Sequence, residues 1–351
     1  MIRPAERDDV PAVADLFERT LGQGRPPPPG GTAAFLERTL FQSPWSDPEI
    51  PSLAYVDGKG RLAGFVGTQV RRMRFDSRPV RVVASSHLMV EPDEPAPAGA
   101  LLLGRLLGGA QLATVTDTAT GVVRRMWEGL GGQALSSCEV DWIRLLSPLR
   151  FAGRRYGVAV GSLADETSSS LDRLGSRVAR RIVAPPRSAA SAEPLDAETV
   201  FEHLPVVTEG LRLVPERDGA YLDWLFAELH RPSTRGVLSA ALVREAGGEP
   251  AGWYIGRVAP GGVVRVAELA ARPGRLQVVT DRLLADAEAG GAVAVRGRAD
   301  PGVLQALRGR HCLLRYSGRT LIHSDAPEVI GTVAAGSALL SELQGEMPGL
   351  P

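Results

Sequence analysis

Along this 351-residue chain short runs of strand character alternate with runs of helical period. Ile2-Arg3-Pro4-Ala5 predicts an edge strand, where Pro4 is tolerated because one side of the strand carries no ladder. Val10, Val13, Leu16 and Phe17 recur at helical spacing behind Asp8, which predicts a helix capped by Asp8. A Pro/Gly-rich loop from Gly24 to Gly31 follows, then a second amphipathic piece from Phe35 to Phe41. Ser52–Val56 and Ala63–Val70, joined by the turn Asp57–Gly60, read as a hairpin. Arg81–Val90 continues as a strand and Leu101–Leu112 as a helix. Leu112–Thr116 is a short strand, and Val122–Leu130 a short helix stopped by Gly131-Gly132.

The order then returns. Ala63-Gly64-Phe65 is matched by Ala251-Gly252-Trp253, and Val90-Glu91-Pro92 by Ala271-Arg272-Pro273. Each of the latter precedes an apolar helix, Leu101–Leu112 in one half and Leu276–Ala287 in the other. Twenty-five residues beyond each proline comes the end of a further short strand, Asp117 and Arg298. Between the halves, Pro185–Pro194 reads as an exposed linker. The expected organisation is an N-terminal domain 1–155, a basic helix and Pro/Ala/Ser-rich linker 156–204, and a C-terminal domain 205–351.

Composition narrows the chemistry. Acidic and basic residues balance at 40 each, so no net field recruits nucleic acid or a membrane. All the bases but Lys59 are arginine. A Schiff-base enzyme needs a buried lysine of lowered pKa, and a P-loop needs Gly-Lys-Ser/Thr. Lys59 sits in the turn Asp57-Gly58-Lys59-Gly60 and serves neither. Cys138 and Cys312 are too few for a disulfide framework or a Cys-rich zinc site. The five histidines show no metal-ligand spacing, so no metal is expected. No run of 18 apolar residues and no signal-peptide pattern occurs, so a cytoplasmic protein with no membrane partner is expected.

The opening Ile2-Arg3-Pro4-Ala5, with Asp9, Val13, Leu16 and Phe17 spaced behind it, resembles the start of a GNAT-family acyltransferase. So do the hairpin Leu62-Ala63-Gly64-Phe65-Val66-Gly67, the strand end Leu88-Met89-Val90 before Pro92, and the helix Val123–Leu130 ended by Gly131. The resemblance covers 1–150 in correct order and extends through the repeat to about 205–345. It is similar in layout to mycothiol-synthase-like and Fem-type aminoacyltransferases. It implies an α/β (α+β) fold class with two tandem GNAT-like domains, each a mixed twisted sheet flanked by helices.

In that family the sheet opens between its fourth and fifth strands, and the donor's pantetheine arm pairs there with fourth-strand backbone. The resemblance carries this to Leu88, Met89 and Val90. It carries the pyrophosphate to the loop at Ala98, Gly99 and Ala100, at a helix N-terminus where the dipole favours an anion. This loop departs from the family pattern. Pro95 stands where Arg or Gln is usual, Ala98 replaces the first glycine, and two prolines remove N–H donors. The second half, Arg272-Pro273-Gly274-Arg275, lacks Gly-x-Gly as well. Trp127 replaces the tyrosine that often protonates the leaving thiolate, and an indole is not such an acid.

An ammonium is not nucleophilic, so a base or water-positioning group is useful. His87 and Glu268 occupy the same fourth-strand position, each three residues before the matched pair Val90 and Ala271. Either is a candidate base; otherwise His87 is a satisfied interior histidine and Glu268 a partner for an arginine. Asp117 either binds the acceptor amine or caps the next helix. Residues 144–187 hold nine arginines against three acids. Arg154, Arg155, Arg173, Arg177, Arg180 and Arg181 form either a solvated helix face or a phosphate-binding surface.

The expected activity is amide formation by direct attack of an amine on an activated acyl group. The first-ranked donor is acyl-CoA as co-substrate, with no tightly bound cofactor. An aminoacyl-tRNA, bound by the arginine-rich junction, is the second. A degenerate, non-catalytic binding protein is the third reading. The partner is a small-molecule amine, with an amino sugar, an amino acid, a peptide and a secondary metabolite all open.

Overall fold

A computed structural model describes residues 1–24, 26–94, 97–148, 150–151, 188–233 and 236–345. Two compact units account for them. The first comprises the described residues within Met1–Glu139, Gly210–Thr234 and Gly318–Pro351, the second those within Val140–Glu209 and Arg235–Ser317. Contiguous halves, 1–155 and 205–351, were the expectation; each unit instead draws on separate stretches of chain.

In the first unit β1 (Ile2–Pro4), α1 (Val10–Thr20), α2 (Thr32–Leu40), β2 (Leu53–Val56), β3 (Leu62–Phe75) and β4 (Arg78–Val90) come first. Then follow α3 (Pro97–Leu107), β5 (Ala113–Thr116), α4 (Gly121–Gly129) and β6 (Gln133–Ala134). The second unit opens with β7 (Val140–Leu145), β8 (Ser191–Pro194) and α5 (Ala197–Val207). The chain returns to the first unit for β9 (Leu213–Pro215) and α6 (Gly219–His230). It resumes the second with β10 (Val237–Arg244), β11 (Pro250–Ala259), β12 (Val263–Ala271) and α7 (Leu276–Ala289). That unit ends with β13 (Ala294–Ala299), α8 (Pro301–Ala306) and β14 (Leu313–Tyr316). β15 (Leu321–His323) and α9 (Pro327–Ala334) complete the first unit.

The first sheet runs β1-β2-β3-β4-β5-β15-β6, with β9 also on β3, and the second runs β14-β7-β13-β12-β11-β10-β8. β7 therefore lies between β13 and β14, and β15, from the far end of the chain, between β5 and β6. Within each sheet one pair is parallel, β4 with β5 and β12 with β13, and the others are antiparallel.

The internal repeat is in register. Gly64 lies opposite Val90 in the first sheet and Gly252 opposite Ala271 in the second. Gly252 has φ +149, and a Cβ there would stand 2.1 Å from the Ala270 carbonyl oxygen, so this strand crossing tolerates no side chain.

Side chains alternate across β3. Val66 and Val70 pack with Val83, Leu102, Leu103, Leu106 and Trp127 on one face. Phe65 packs with Met89, Leu16, Phe17, Phe35 and Leu36 on the other. A buried leucine contributes about 1.5–3 kcal/mol, so these two layers hold the sheet between α3–α4 and α1–α2.

Three local expectations need correction. Asp9, not Asp8, ties down the entry to α1: it accepts from the Glu6 N–H at 2.8 Å and pairs with Arg3 at 2.7 Å. Ser191–Pro194, expected as exposed linker, is a strand paired with β10, and α5 follows directly. An edge strand bonded on one side only carries the same small and polar residues as a linker, so composition does not separate them. The helix expected over Leu101–Leu112 starts earlier, at Pro97, and stops at Leu107, because proline at a helix start gives up an N–H that has no partner there anyway. Among the described residues no helix is long and apolar enough to cross a membrane.

Candidate active site

The parallel pairs that centre both sheets are short. β4 meets β5 over Val82–Ala84 against Ala113–Val115 and, among the described residues, continues without a partner on that side to Val90. β12 meets β13 over Val263–Arg265 against Ala294–Arg296 and continues to Ala271. Beyond its third pair each sheet parts, and a helix begins at the end of the freed strand. Leu88, Met89 and Val90 lie on this stretch of β4 beyond its pairing with β5. Ala98 and Gly99 are buried in the first turn of α3, and Ala100 is half-buried. A Cβ on Gly99 would sit 3.6 Å from Val90 Cγ2 and from Met126 Sδ, ordinary contact distances. α3 thus starts against the end of β4.

Both freed strands carry a bulge where the candidate bases lie. The β3–β4 register shifts between Phe65/Met89 and Gly67/Ser86, leaving His87 and Leu88 opposite Val66. His87 adopts φ +52, a left-handed conformation uncommon outside glycine, though histidine takes it more often than most residues. The bulge turns Ser86 and His87 toward the same side of the sheet. The His87 ring lies 5.8 Å from the Phe17 ring and 6.3 Å from that of Phe35. Burial lowers the imidazole pKa from 6.5 to about 4, so it is neutral at pH 7. Neither ring nitrogen has a hydrogen-bond partner among the described residues. The interior position matches one expectation for His87, but the ring is not satisfied there.

In the second unit the shift falls between Ile255/Glu268 and Gly256/Val266. Glu268 is 1% exposed, and the Trp253 indole donates to its Oε1 at 2.8 Å.

Asp117 stands half-buried just past the end of β5. It does not cap α4, because the Thr120 hydroxyl accepts from the Val123 N–H instead. Its carboxylate faces Gly345: a Cβ there would stand 2.1 Å from Asp117 Oδ2. Trp127 is wholly buried among α3 and sheet residues, and its indole nitrogen has no partner among the described residues. Of the arginine-rich stretch, Arg154, Arg155, Arg173, Arg177, Arg180 and Arg181 lie outside the described residues. Arg144 is buried and donates to the His311 carbonyl, so it belongs to the interior of the second unit rather than to a phosphate-binding surface.

Arg71, Gln69 and Ser86, absent from the sequence-based candidates, join this side of the first sheet. Arg71 is 1% exposed, and its Nη2 donates to Gln69 Oε1 at 2.7 Å and to the Gly345 carbonyl at 3.1 Å. On a strand, charged and polar residues at alternate positions ordinarily read as a solvent face. The covering segment 341–345 comes from the other end of the chain and leaves no trace near β3.

No protein-family model matches the chain, and no curated protein sequence does. Solved structures do. The chain is similar to a conserved protein of unknown function from Enterococcus faecalis V583, described as a probable N-acyltransferase, at 10% identity and TM-score 0.58, covering 92% of this chain and 72% of that one. A GCN5-related N-acetyltransferase from Anabaena variabilis is similar at 11% identity and TM-score 0.58, with the same coverage. Eis1 from Mycobacterium abscessus is similar at 16% identity and TM-score 0.54, over 92% of this chain and 73% of that one. At such identities the likeness is one of fold: two mixed sheets flanked by helices, as in GCN5-related N-acetyltransferases.

Proposed function

We propose that this protein is an N-acyltransferase that binds an acyl-CoA in the β4–β5 opening of its first unit. The reading rests on one observation: among the described residues β4 has no strand partner on that side from Ser85 to Val90, and its end packs against the first turn of α3. A freed strand edge offers N–H and C=O groups to the amides of a pantetheine arm, and a helix N-terminus favours a pyrophosphate. We place its action in the cytoplasm, the compartment expected from the sequence.

The acceptor's neutral amine attacks the acyl carbon, the C–S bond breaks, and coenzyme A leaves as a thiolate. The ammonium proton of the intermediate is lost, and the thiolate takes one up. Trp127 has no acidic proton for that last step, so solvent supplies it. Asp117, at the end of β5, is the group we assign to the acceptor amine. His87, neutral and weakly basic, is a poor base; its packing between Phe17 and Phe35 fits a role in shaping the bulge. Glu268 is engaged by Trp253, whereas in the first unit both His87 ring nitrogens and Ser86 Oγ have no hydrogen-bond partner among the described residues. That contrast favours the first unit as the active one.

A thermal-unfolding titration with coenzyme A and acetyl-CoA tests the reading. A rise in Tm with concentration is expected, because a ligand bound to the native state alone stabilises it by mass action. No change at millimolar coenzyme A overturns it. Labelled tRNA added in the same assay at two salt concentrations tests the other donor, whose phosphate contacts would weaken steeply with salt.

A further inference from the structure

The Arg71 guanidinium is buried in the first unit, and among the described residues no carboxylate is one of its hydrogen-bond partners. Each acceptor it meets is a neutral oxygen: Gln69 Oε1 at 2.7 Å, the Gly345 carbonyl at 3.1 Å and the Val70 carbonyl at 3.3 Å. Its Nε has no partner among the described residues, and neither do Gln69 Nε2 or Ser86 Oγ. The three side chains are 1%, 3% and 2% exposed. They also share a face. Gln69 and Arg71 are two apart on β3, and Ser86 lies opposite Gly67, two residues further along the same row. Gly67 lets the row close up, since a Cβ there would come within 2.7 Å of Ser86 Oγ.

Removing a guanidinium from water is costly, and neutral carbonyls offset only part of the cost. The unmet groups next to it are an arginine N–H, an amide NH2 and a hydroxyl, each able to donate. Such a set repels a cation and fits a planar oxyanion, which a guanidinium recognises geometrically as well as electrostatically. One buried positive charge matches the single charge of a carboxylate. Gly345 also touches both signs of charge, its carbonyl accepting from Arg71 while its α-carbon faces the Asp117 carboxylate. A cationic and an anionic side chain therefore stand within one residue's breadth.

We propose that Arg71, Gln69 and Ser86 receive a carboxylate of the substrate, and that the acceptor is an amine carrying that carboxylate a few bonds away, an amino acid in class. The acceptor assignment rests on the N-acyltransferase reading; the carboxylate site does not.

Two measurements on the full chain separate them. Acetate and acetamide are first compared as thermal stabilisers without any donor, in the wild type and in Arg71→Met and Gln69→Leu. Acetate is expected to stabilise the wild type and neither variant, while acetyl-CoA stabilises all three and shows them folded. Turnover is then compared for glycine, alanine, phenylalanine and glutamate, each against its α-carboxamide, with acetyl-CoA. A further arm pairs succinyl-CoA with the carboxamides. The free acids are expected to be preferred, with the ratio of kcat/KM for acid over amide falling on the order of 100-fold in Arg71→Met. If that variant does not fold, Gln69→Leu and Ser86→Ala carry the comparison. Equal response to acetate and acetamide overturns the carboxylate site. A preference for the carboxylate on the succinyl group alone overturns the acceptor assignment. A missing acetyl-CoA shift in a protein that still binds acetate overturns only the acyltransferase reading.

Discussion

The indole Nε1 of Trp253 donates to Glu268 Oε1 across 2.8 Å, and both residues are almost wholly buried. The pair closes off the bulge of β12. Glu268→Ala leaves the indole N–H buried without that acceptor, and a loss of about 1–3 kcal/mol in unfolding free energy is expected. Glu268→Gln keeps an oxygen at the same place and should lose less. Denaturant unfolding of both variants checks the order. Equal losses would mean that the hydrogen bond contributes little there.

His87 makes stability depend on pH. Its folded pKa of about 4 lies below the ordinary 6.5, so between those values the unfolded chain binds a proton that the folded one refuses. The contribution is complete above about pH 6.5, declines as the pH falls, and is gone below about 4. Its full size is roughly 3 kcal/mol. His87→Phe should flatten the stability curve over that window, as read by chemical unfolding at a series of pH values. A curve parallel to the wild type would show that the ring is not the titrating group.

Two glycines should respond oppositely. A Cβ on Gly252 meets the Ala270 carbonyl at 2.1 Å and the Ala271 Cα at 2.5 Å, with φ at +149, so Gly252→Ala must push two strands apart. A loss of at least about 2 kcal/mol is expected. Gly99 lies in helix α3, where a Cβ makes only ordinary van der Waals contacts, so Gly99→Ala should be neutral or gain up to about 1 kcal/mol. If the pyrophosphate approaches the α3 backbone, the same variant should raise the KM for acyl-CoA while Tm holds or rises.

Trp45 and Tyr221 stack at 3.5 Å with planes 4° apart, and Asp218 accepts from the Trp45 indole at 3.0 Å and from the Tyr221 N–H at 2.8 Å. The Tyr221 hydroxyl is buried without a partner among the described residues. Tyr221→Phe keeps the stack and removes the orphaned oxygen, so stability should hold or rise by about 1 kcal/mol. Trp45→Ala should cost about 3–5 kcal/mol. A clear loss in Tyr221→Phe would show that the hydroxyl is satisfied in solution.

Most strands and helices were legible because their signals are local. Alternation and the turn Asp57–Gly60 mark the β2–β3 hairpin, and helical spacing from Val10 to Phe17 marks α1. The repeat was legible as well, and its matched pairs, Gly64 with Val90 and Gly252 with Ala271, face each other in the sheets. The strand Ser191–Pro194 was not, since an edge strand and a linker share a composition. His87, Glu268 and Asp117 were picked out by their order along the chain, but not what surrounds them. The Phe17 and Phe35 rings, the Trp253 indole and the Gly345 backbone reach them from outside their own strands.

Taken alone, the sequence determined the elements, their repeated order and the chemistry excluded by a single lysine, because each follows from neighbours along the chain. Tertiary structure decided which strands share a sheet. Apolar alternation specifies that a strand is buried but not beside which partner, so nothing local places β15 between β5 and β6, or β7 between β13 and β14. It also decided that Gln69 and Arg71, a polar alternation that reads as a wet face, are covered by residues from the far end of the chain. Burial is a property of what folds over a residue, and only the folded chain assigns it.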